Sequence, residues 1–263
     1  MTNLGFQQRL TLFLTGIRPC AYLPGREERV LFVDPRVPMS GPLYESLLRE
    51  GFRRAGRFVY RPACGPCQSC VPVRLEVNHF GPNRSQRRNR DQNADLILTD
   101  RSADFAPEHF ALYAAYIRHR HPDGGMADQL TPESYRDYLI QPWGGETRLL
   151  ELRLGERLIA LAVTDRLPNA LSAVYTFFDP AVATRAPGTY AILSQIELAR
   201  RLGLQYLYLG YWIKDCRKMA YKDRYRPIQA LIGGRWQAFE RGQPISDNDW
   251  QALYTQSPSM PGL

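Results

Sequence analysis

Between Thr147 and Trp212 the chain carries a pattern that few folds accommodate. Three strand-length segments, Thr147 to Leu154, Arg157 to Asp165 and Leu171 to Phe178, are separated by turn signals at Gly155-Glu156 and Pro168-Asn169. An amphipathic helix follows from Thr189 to Gly203, with Ile192, Ile196 and Ala199 on one face and Gly203 as its cap. Leu204 to Trp212 is then apolar and aromatic enough for a buried strand. Short connections make the first three strands an antiparallel meander. A strand, a helix and a strand in that order imply a right-handed crossover and parallel pairing.

Meander, helix and parallel strand is the order of an acetyltransferase-like (GNAT-like) sheet. The pattern therefore predicts an α+β fold, a mixed sheet with flanking helices. Enzymes of that fold that use acyl-CoA carry [RQ]-x-x-G-x-[GA] before the crossover helix, where backbone amides hold pyrophosphate. Here the turn reads Arg185-Ala186-Pro187-Gly188-Thr189-Tyr190. The first two marks are present. Tyr190 replaces the last small residue, and Pro187 removes an amide donor. The loop keeps the outline of a phosphate cradle and is altered for another ligand.

Upstream, Glu28 to Val33, Arg57 to Arg61 and Val71 to Val77 read as strands, and Gly41 to Gly51 as a short helix. Asn78 to Asp91 reads as a loop passing into a basic segment. Phe105 to Arg120 and a segment starting at Thr131, with Thr131 as cap and Pro132 as first residue, read as helices. Ala230 to Phe239 forms the last strand region, turning at Gly233-Gly234. Tyr206 to Trp212 is placed as the strand that closes the sheet. The expected division is a region 1–95 with a small cysteine-containing subdomain, and a transferase region 96–263.

Chemistry-bearing residues fall in four clusters. Cys64, Cys67 and Cys70 are spaced C-x-x-C-x-x-C, and Cys20 supplies a fourth thiol. Such a set suits zinc or an iron–sulfur cluster, or equally a tight loop of reduced cysteines. Arg84, Arg87, Arg88 and Arg90 fall within seven residues and suit contact with a phosphate backbone. The net charge of +8 and pI near 9.4 are compatible with a polyanionic partner. His119 and His121 read as a basic helix terminus with no catalytic role. From Lys214 to Arg226 the chain is basic and tyrosine-rich, directly after the core strand. Five cysteines do not suggest a disulfide framework, no run of apolar residues is long enough to span a membrane, and the first residues read as a mature cytoplasmic start.

Three blocks together resemble the arginyl-tRNA–protein transferase family. They are PCAYLP (Pro19 to Pro24), YRPACGPCQSCVPVR (Tyr60 to Arg74) with RSQRRN (Arg84 to Asn89), and the segment from Val174 to Pro227 that ends YLYLGYWIKDCRKMAYKDRYRP. The chain is most similar to the bacterial branch. That resemblance implies transfer of leucine from aminoacyl-tRNA to proteins beginning with Asp or Glu, marking them for degradation, with no cofactor required. Arginyl transfer to the same acceptors is the alternative. Leu23 stands near where a second cysteine of the eukaryotic pattern falls, which argues against a shared metal cluster. Under this reading Tyr211 and Asp215 orient the amine or relay its proton. Lys218, Lys222 and Arg226, then Arg61 and Arg74, meet the acidic acceptor. Arg84, Arg87, Arg88 and Arg90 grip tRNA, and Arg185, Gly188, Thr189 and Tyr190 face the ester or the terminal phosphate. An arginine donor needs a carboxylate (Asp179, Glu197 or Asp215), whereas leucine needs an apolar wall such as Phe177, Phe178 and Leu209. An acyl-CoA-dependent N-acyltransferase and a non-catalytic RNA- or metal-binding module are the rivals of other classes.

Overall fold

The computed structural model describes residues 10–120, 128 and 130–245. A small antiparallel sheet is built from β1 (Leu12–Leu14), β4 (Val30–Val33), β5 (Arg53–Ala55) and β6 (Phe58–Pro62), in spatial order β1-β4-β6-β5. A two-stranded ribbon, β2 (Arg18–Pro19) and β3 (Glu27–Glu28), stands beside it. The large sheet has eight strands: β7 (Val71–Glu76), β8 (Ile97–Ser102), β9 (Glu146–Leu154), β10 (Arg157–Arg166), β11 (Ala170–Phe178), β12 (Tyr206–Trp212), β13 (Ile228–Ile232) and β14 (Arg235–Phe239). Their order is β14-β13-β7-β12-β11-β10-β9-β8. The helices are α1 (Gly41–Arg49), α2 (Arg84–Gln92), α3 (Pro107–Arg120), α4 (Pro132–Tyr135, continuing as a π turn over Arg136–Ile140), α5 (Pro187–Arg201) and α6 (Arg217–Ala220).

The meander and crossover match the sequence pattern. Strands β8 to β11 pair antiparallel in succession, and β12 pairs parallel with β11 after α5. Strand β10 shows why this part of the sheet is well specified. Its sequence is a continuous apolar run because both faces are covered. Leu161 and Val163 point to a core that holds Tyr113 and Ile117 of α3, and Ala160 and Ala162 to one that holds Ile192, Ile196 and Ala199 of α5. Small residues on the α5 side let that helix sit close, and larger ones fill the space beneath α3.

Three features differ from the sequence reading. Strand β12 is interior, not closing, because β7 pairs with its far edge and β13-β14 extend the sheet beyond. The large sheet thus takes strands from both sides of the 95/96 division, and Val71, Val73 and Leu75 share one core with Ile192 and Leu207. That division stays a proposal about sequence regions, whereas the core is continuous. Residues Arg84–Gln92 form a helix where a loop was expected. Asn83 and Gln86 form a reciprocal capping box, satisfying end groups of a helix whose own composition is almost wholly polar.

A buried ion pair joins the two sheets. Arg54 on β5 donates Nε to Asp165 Oδ2 at 2.7 Å and Nη2 to Asp165 Oδ1 at 2.5 Å, and both side chains have no exposure. Thr147 donates to the same carboxylate at 2.7 Å, and the Arg54 Nη1 donates to the Gly56 carbonyl. Nearly every polar atom of the pair is therefore satisfied, the condition under which a buried ion pair is tolerated. No helix among the described residues is long and apolar enough to cross a membrane.

Candidate active site

Strands β11 and β12 part company early. Their parallel register holds for Ala170 to Ser172 against Tyr206 to Tyr208, and then ends although both strands continue. Beyond that point Ala173 to Thr176 are half-buried. A side chain occupies the opening. Arg53, from β5, donates Nη2 to the carbonyls of Ala173 and Val174 at 3.3 and 3.2 Å. On the β12 side its guanidinium lies against Gly210, where any Cβ would overlap it. Gly210 has φ +76, follows a break in the β12–β7 register, and so makes room in two ways. Adjacent strand residues point to opposite faces. Arg54 goes to Asp165, while Arg53 goes into the opening.

The groups around Arg53 are phenols. Its electrostatic surroundings are dominated by Tyr60, Tyr22, Tyr44 and Tyr211, and its Cζ lies 5.8 Å from the Tyr211 ring centroid. Among the described residues no carboxylate pairs with it, in contrast to Arg54. Burial pushes the phenols of Tyr22, Tyr138 and Tyr211 above their ordinary value of 10, with neighbouring Tyr60 adding and Arg53 opposing. They remain neutral hydrogen-bonding groups at physiological pH. Tyr138 comes from the π turn after α4, a geometry often found at functional positions.

Tyr22, Tyr60, Tyr138 and Tyr211 also wall a cavity of about 670 Å³ that Arg61 and the cysteine loop line as well. That loop does not assemble a metal site. Cys64 donates to the Arg29 carbonyl, Cys20 accepts from the Tyr22 N–H, and Cys67 accepts from Arg26, each at 3.5 Å. Among the described residues no three His, Cys, Asp or Glu side chains are grouped to hold a metal ion. The zinc or iron–sulfur expectation for Cys20, Cys64, Cys67 and Cys70 therefore lacks a donor set. Burial pushes the Cys70 thiol up to about 12, and the other three thiols add to that.

Several residues read from the sequence as ligands have other work. Lys222 is 4% exposed, and its amine donates to the Tyr211 carbonyl. Burial, reinforced by Arg53, holds it well below its usual 10.5. Arg74 is 7% exposed, stacked between the rings of Tyr206 and Trp236 at 3.8 and 4.2 Å, with its fork on Gln229 and Tyr208. Arg226 donates to the carbonyls of Asp223 and Phe239. The side chains of all three are held by contacts within the fold. Tyr211 is 1% exposed, and its hydroxyl donates to the Gly51 carbonyl at 2.9 Å. Asp215 is exposed on the turn after β12 and Lys218 is exposed on α6, and Arg61 is half-buried, its Nη1 on the Glu50 carbonyl. His119 is exposed at the end of α3, and His121 lies outside the described residues.

The cradle is also engaged. Arg185 pairs with Asp95 and donates to Asn93 and to the Gln92 carbonyl. The N–H groups of Thr189 and Tyr190 both donate to the Ala186 carbonyl. A would-be Cβ on Gly188 meets Phe178 only at ordinary contact distance, so no close backbone approach is being protected there. Helix α2 is tied to this corner: Asn89 donates to the Arg185 carbonyl at 2.8 Å and Gln86 to the Arg224 carbonyl at 3.2 Å. Gln86 and Asn89 are its buried residues, and Arg84, Arg87, Arg88 and Arg90 are all exposed. The arginines so form an outward cationic face beside the start of α5.

Of the carboxylates considered for an arginine donor, Asp179 pairs with Arg157 and caps its own turn, and Glu197 pairs with Arg200. Phe177 and Leu209 are buried, and Phe178 packs its ring 5.0 Å from that of Tyr116. The sequence reading passed over Arg53, Tyr22, Tyr60 and Tyr138. One local signal pointed there, the isolated glycine inside the strand Tyr206–Trp212, which marks a close approach.

A family model described as arginine-tRNA-protein transferase, N terminus, matches residues 18–88, and one described as arginine-tRNA-protein transferase, C terminus, matches residues 108–232. The aspartate/glutamate leucyltransferase of Saccharophagus degradans is 47% identical over 91% of this chain and 100% of its own length. That of Thiobacillus denitrificans is 48% identical over 89% of this chain and 96% of its own. A FemX crystal structure aligns over 80% of this chain and 81% of its own, at 10% identity and a TM-score of 0.41, too remote to argue from.

Proposed function

The chain belongs to the arginine-tRNA-protein transferase family, and we infer that it transfers leucine from leucyl-tRNA to proteins that begin with Asp or Glu. The single observation that carries this reading is the near-full-length identity to relatives named for that reaction. The spent cradle supports it, since two of its amides are engaged and an acyl-CoA pyrophosphate would have to displace them.

The chemistry asks little of the protein beyond positioning. The ester of aminoacyl-tRNA is already activated, and an α-amine with a pKa near about 7.7–8.0 is partly neutral at pH 7. The neutral amine attacks the ester carbonyl carbon. A C–N bond forms, the bond to the ribose oxygen breaks, and the proton shed by the amine leaves with that oxygen. Holding amine and ester in attack geometry is itself a large rate effect. We place the reaction at the opening between β11 and β12, with the leucyl-bearing end of tRNA arriving past the start of α5 and the acceptor arriving through the 670 Å³ cavity. Use of aminoacyl-tRNA as a substrate supports a cytoplasmic location.

The arginine face of α2 is the tRNA contact in this arrangement. Reversing Arg87 and Arg88 to Glu should weaken tRNA binding roughly tenfold or more near physiological salt, and reduce the slope of log affinity against log salt by about two. Filter binding across a salt series measures both. An unchanged slope would remove α2 from the tRNA site. The reaction is tested by charging a tRNA pool with radiolabelled leucine or arginine and offering Asp-, Glu- and Arg-start peptides. Label should move from leucyl-tRNA to the two acidic peptides, and movement of arginine instead would overturn the donor assignment.

A further inference from the structure

We propose that Arg53 is the residue that reads the acidic side chain of the acceptor, an inference that rests on the functional reading above. The argument starts from an imbalance. A guanidinium is always charged, and a charge drawn out of water needs a counter-charge or a full set of acceptors. Arg53 is half-buried between two parting strands, and Nη2 is used on two backbone carbonyls. Around it stand neutral phenols, with no carboxylate among the described residues. The structure has spent effort to hold it there: Gly210 takes a left-handed conformation against it, and its neighbour Arg54 is locked to Asp165. A positioned cation facing hydrogen-bonding phenols and lacking an anion is a receptor for a carboxylate.

The two substrates tell which carboxylate that is. The donor's own carboxyl group is esterified to tRNA, so the leucyl moiety brings an ammonium, an isobutyl group and an ester, with no anion near the reacting carbon. The acceptor brings a carboxylate two or three bonds from the carbon that bears the attacking amine. Seating that carboxylate on Arg53 therefore sets the amine within the same opening where β11 and β12 part. The phenols of Tyr22, Tyr60 and Tyr138, which wall the cavity as well as surround Arg53, add donors to a carboxylate without adding charge. A one-carbon difference between Asp and Glu is taken up because a guanidinium edge accepts a carboxylate in more than one register. Of the other basic candidates, Lys222, Arg74 and Arg226 are committed inside the fold, the arginines of α2 are exposed beside the start of α5, Lys218 is exposed on α6, and Arg61, which also lines the cavity, has its guanidinium on the Glu50 carbonyl; none of them donates to the β11 carbonyls at the opening as Arg53 does.

The experiment compares wild type, R53Q and R53K on Asp-start and Asn-start peptides with leucyl-tRNA, alongside the dissociation constant for leucyl-tRNA and a thermal melt. Wild type should prefer the Asp-start peptide strongly. R53Q should lose about 100-fold in kcat/KM toward it, with the Asp-over-Asn ratio falling by at least about tenfold, while leucyl-tRNA affinity stays within about twofold. R53K keeps the charge and loses the fork; its KM for the Asp-start peptide should rise with kcat largely retained, and it carries the test if R53Q fails to fold. An unchanged Asp-over-Asn ratio in a folded variant overturns the assignment and leaves the functional reading standing. An equal loss of leucyl-tRNA affinity in R53Q or R53K moves Arg53 to the donor side and overturns it likewise. Absence of leucyl transfer by the wild type overturns both.

Discussion

Arg54→Met is expected to lower the unfolding free energy by about 3–5 kcal/mol, measured by denaturant titration, because it leaves the Asp165 carboxylate buried with no counter-charge. Both partners have no exposed side-chain surface, so neither the loss nor the leftover charge is relieved by water. Thr147 still donates to Asp165, but one hydroxyl does not replace a two-point guanidinium contact. The double variant Arg54→Met, Asp165→Leu should recover most of that stability, because two apolar side chains of similar volume leave nothing charged behind. A single-variant cost below about 1 kcal/mol would show that the pair does not join the sheets as described. The same substitution has a second readout. Arg54 anchors β5 on one face and Arg53 leaves from the other, so loosening the anchor should also lower leucyl transfer to Asp-start peptides at temperatures where the protein is still folded.

Gly210→Ala should abolish most leucyl transfer while leaving Arg53 chemically intact. The backbone at Gly210 is left-handed with φ +76, which costs an alanine about 1–2 kcal/mol. The new methyl group also occupies the place of the Arg53 guanidinium. The side chain is flexible and moves before the strand does, so the expected result is a folded protein, modestly less stable, whose Arg53 no longer reaches the carbonyls of Ala173 and Val174. Transfer to Asp-start peptides should then fall toward the level of R53Q, by about tenfold or more, with leucyl-tRNA affinity preserved. Full activity in a well-folded Gly210→Ala protein would mean that the position of Arg53 in the opening is not required.

The large sheet was legible because its signals are local. Each strand of the meander announces itself by length and turn residues, β10 by an apolar run that only two covered faces permit, and α5 by its stripe of Ile192, Ile196 and Ala199. Strand β8 was not legible, because it is an edge strand with a mostly polar, exposed sequence, and pairing with β9 alone makes it a strand. Helix α2 was read as a loop because it has almost no apolar residues, although Asn83 and Gln86 held the capping signature. The exposure of its arginines followed from their own charge, and no partner needed to be known.

The site divides along the same line. The family, the aminoacyl-transfer chemistry and the basic run from Arg84 to Arg90 lie in short motifs and composition, which survive being read one residue after another. The fate of each single cation does not. Lys222 and Arg53 are both basic residues beside aromatic ones in the sequence, yet Lys222 is buried with its amine on a backbone carbonyl and Arg53 stands among phenols at the parting of β11 and β12. That difference arises from strand register and from which side of β5 faces the large sheet, both set by contacts between residues more than a hundred positions apart. Free energy of burial and pairing depends on neighbours in space, so the sequence determined what chemistry the chain can do, and only the tertiary structure decided which arginine is left to do it.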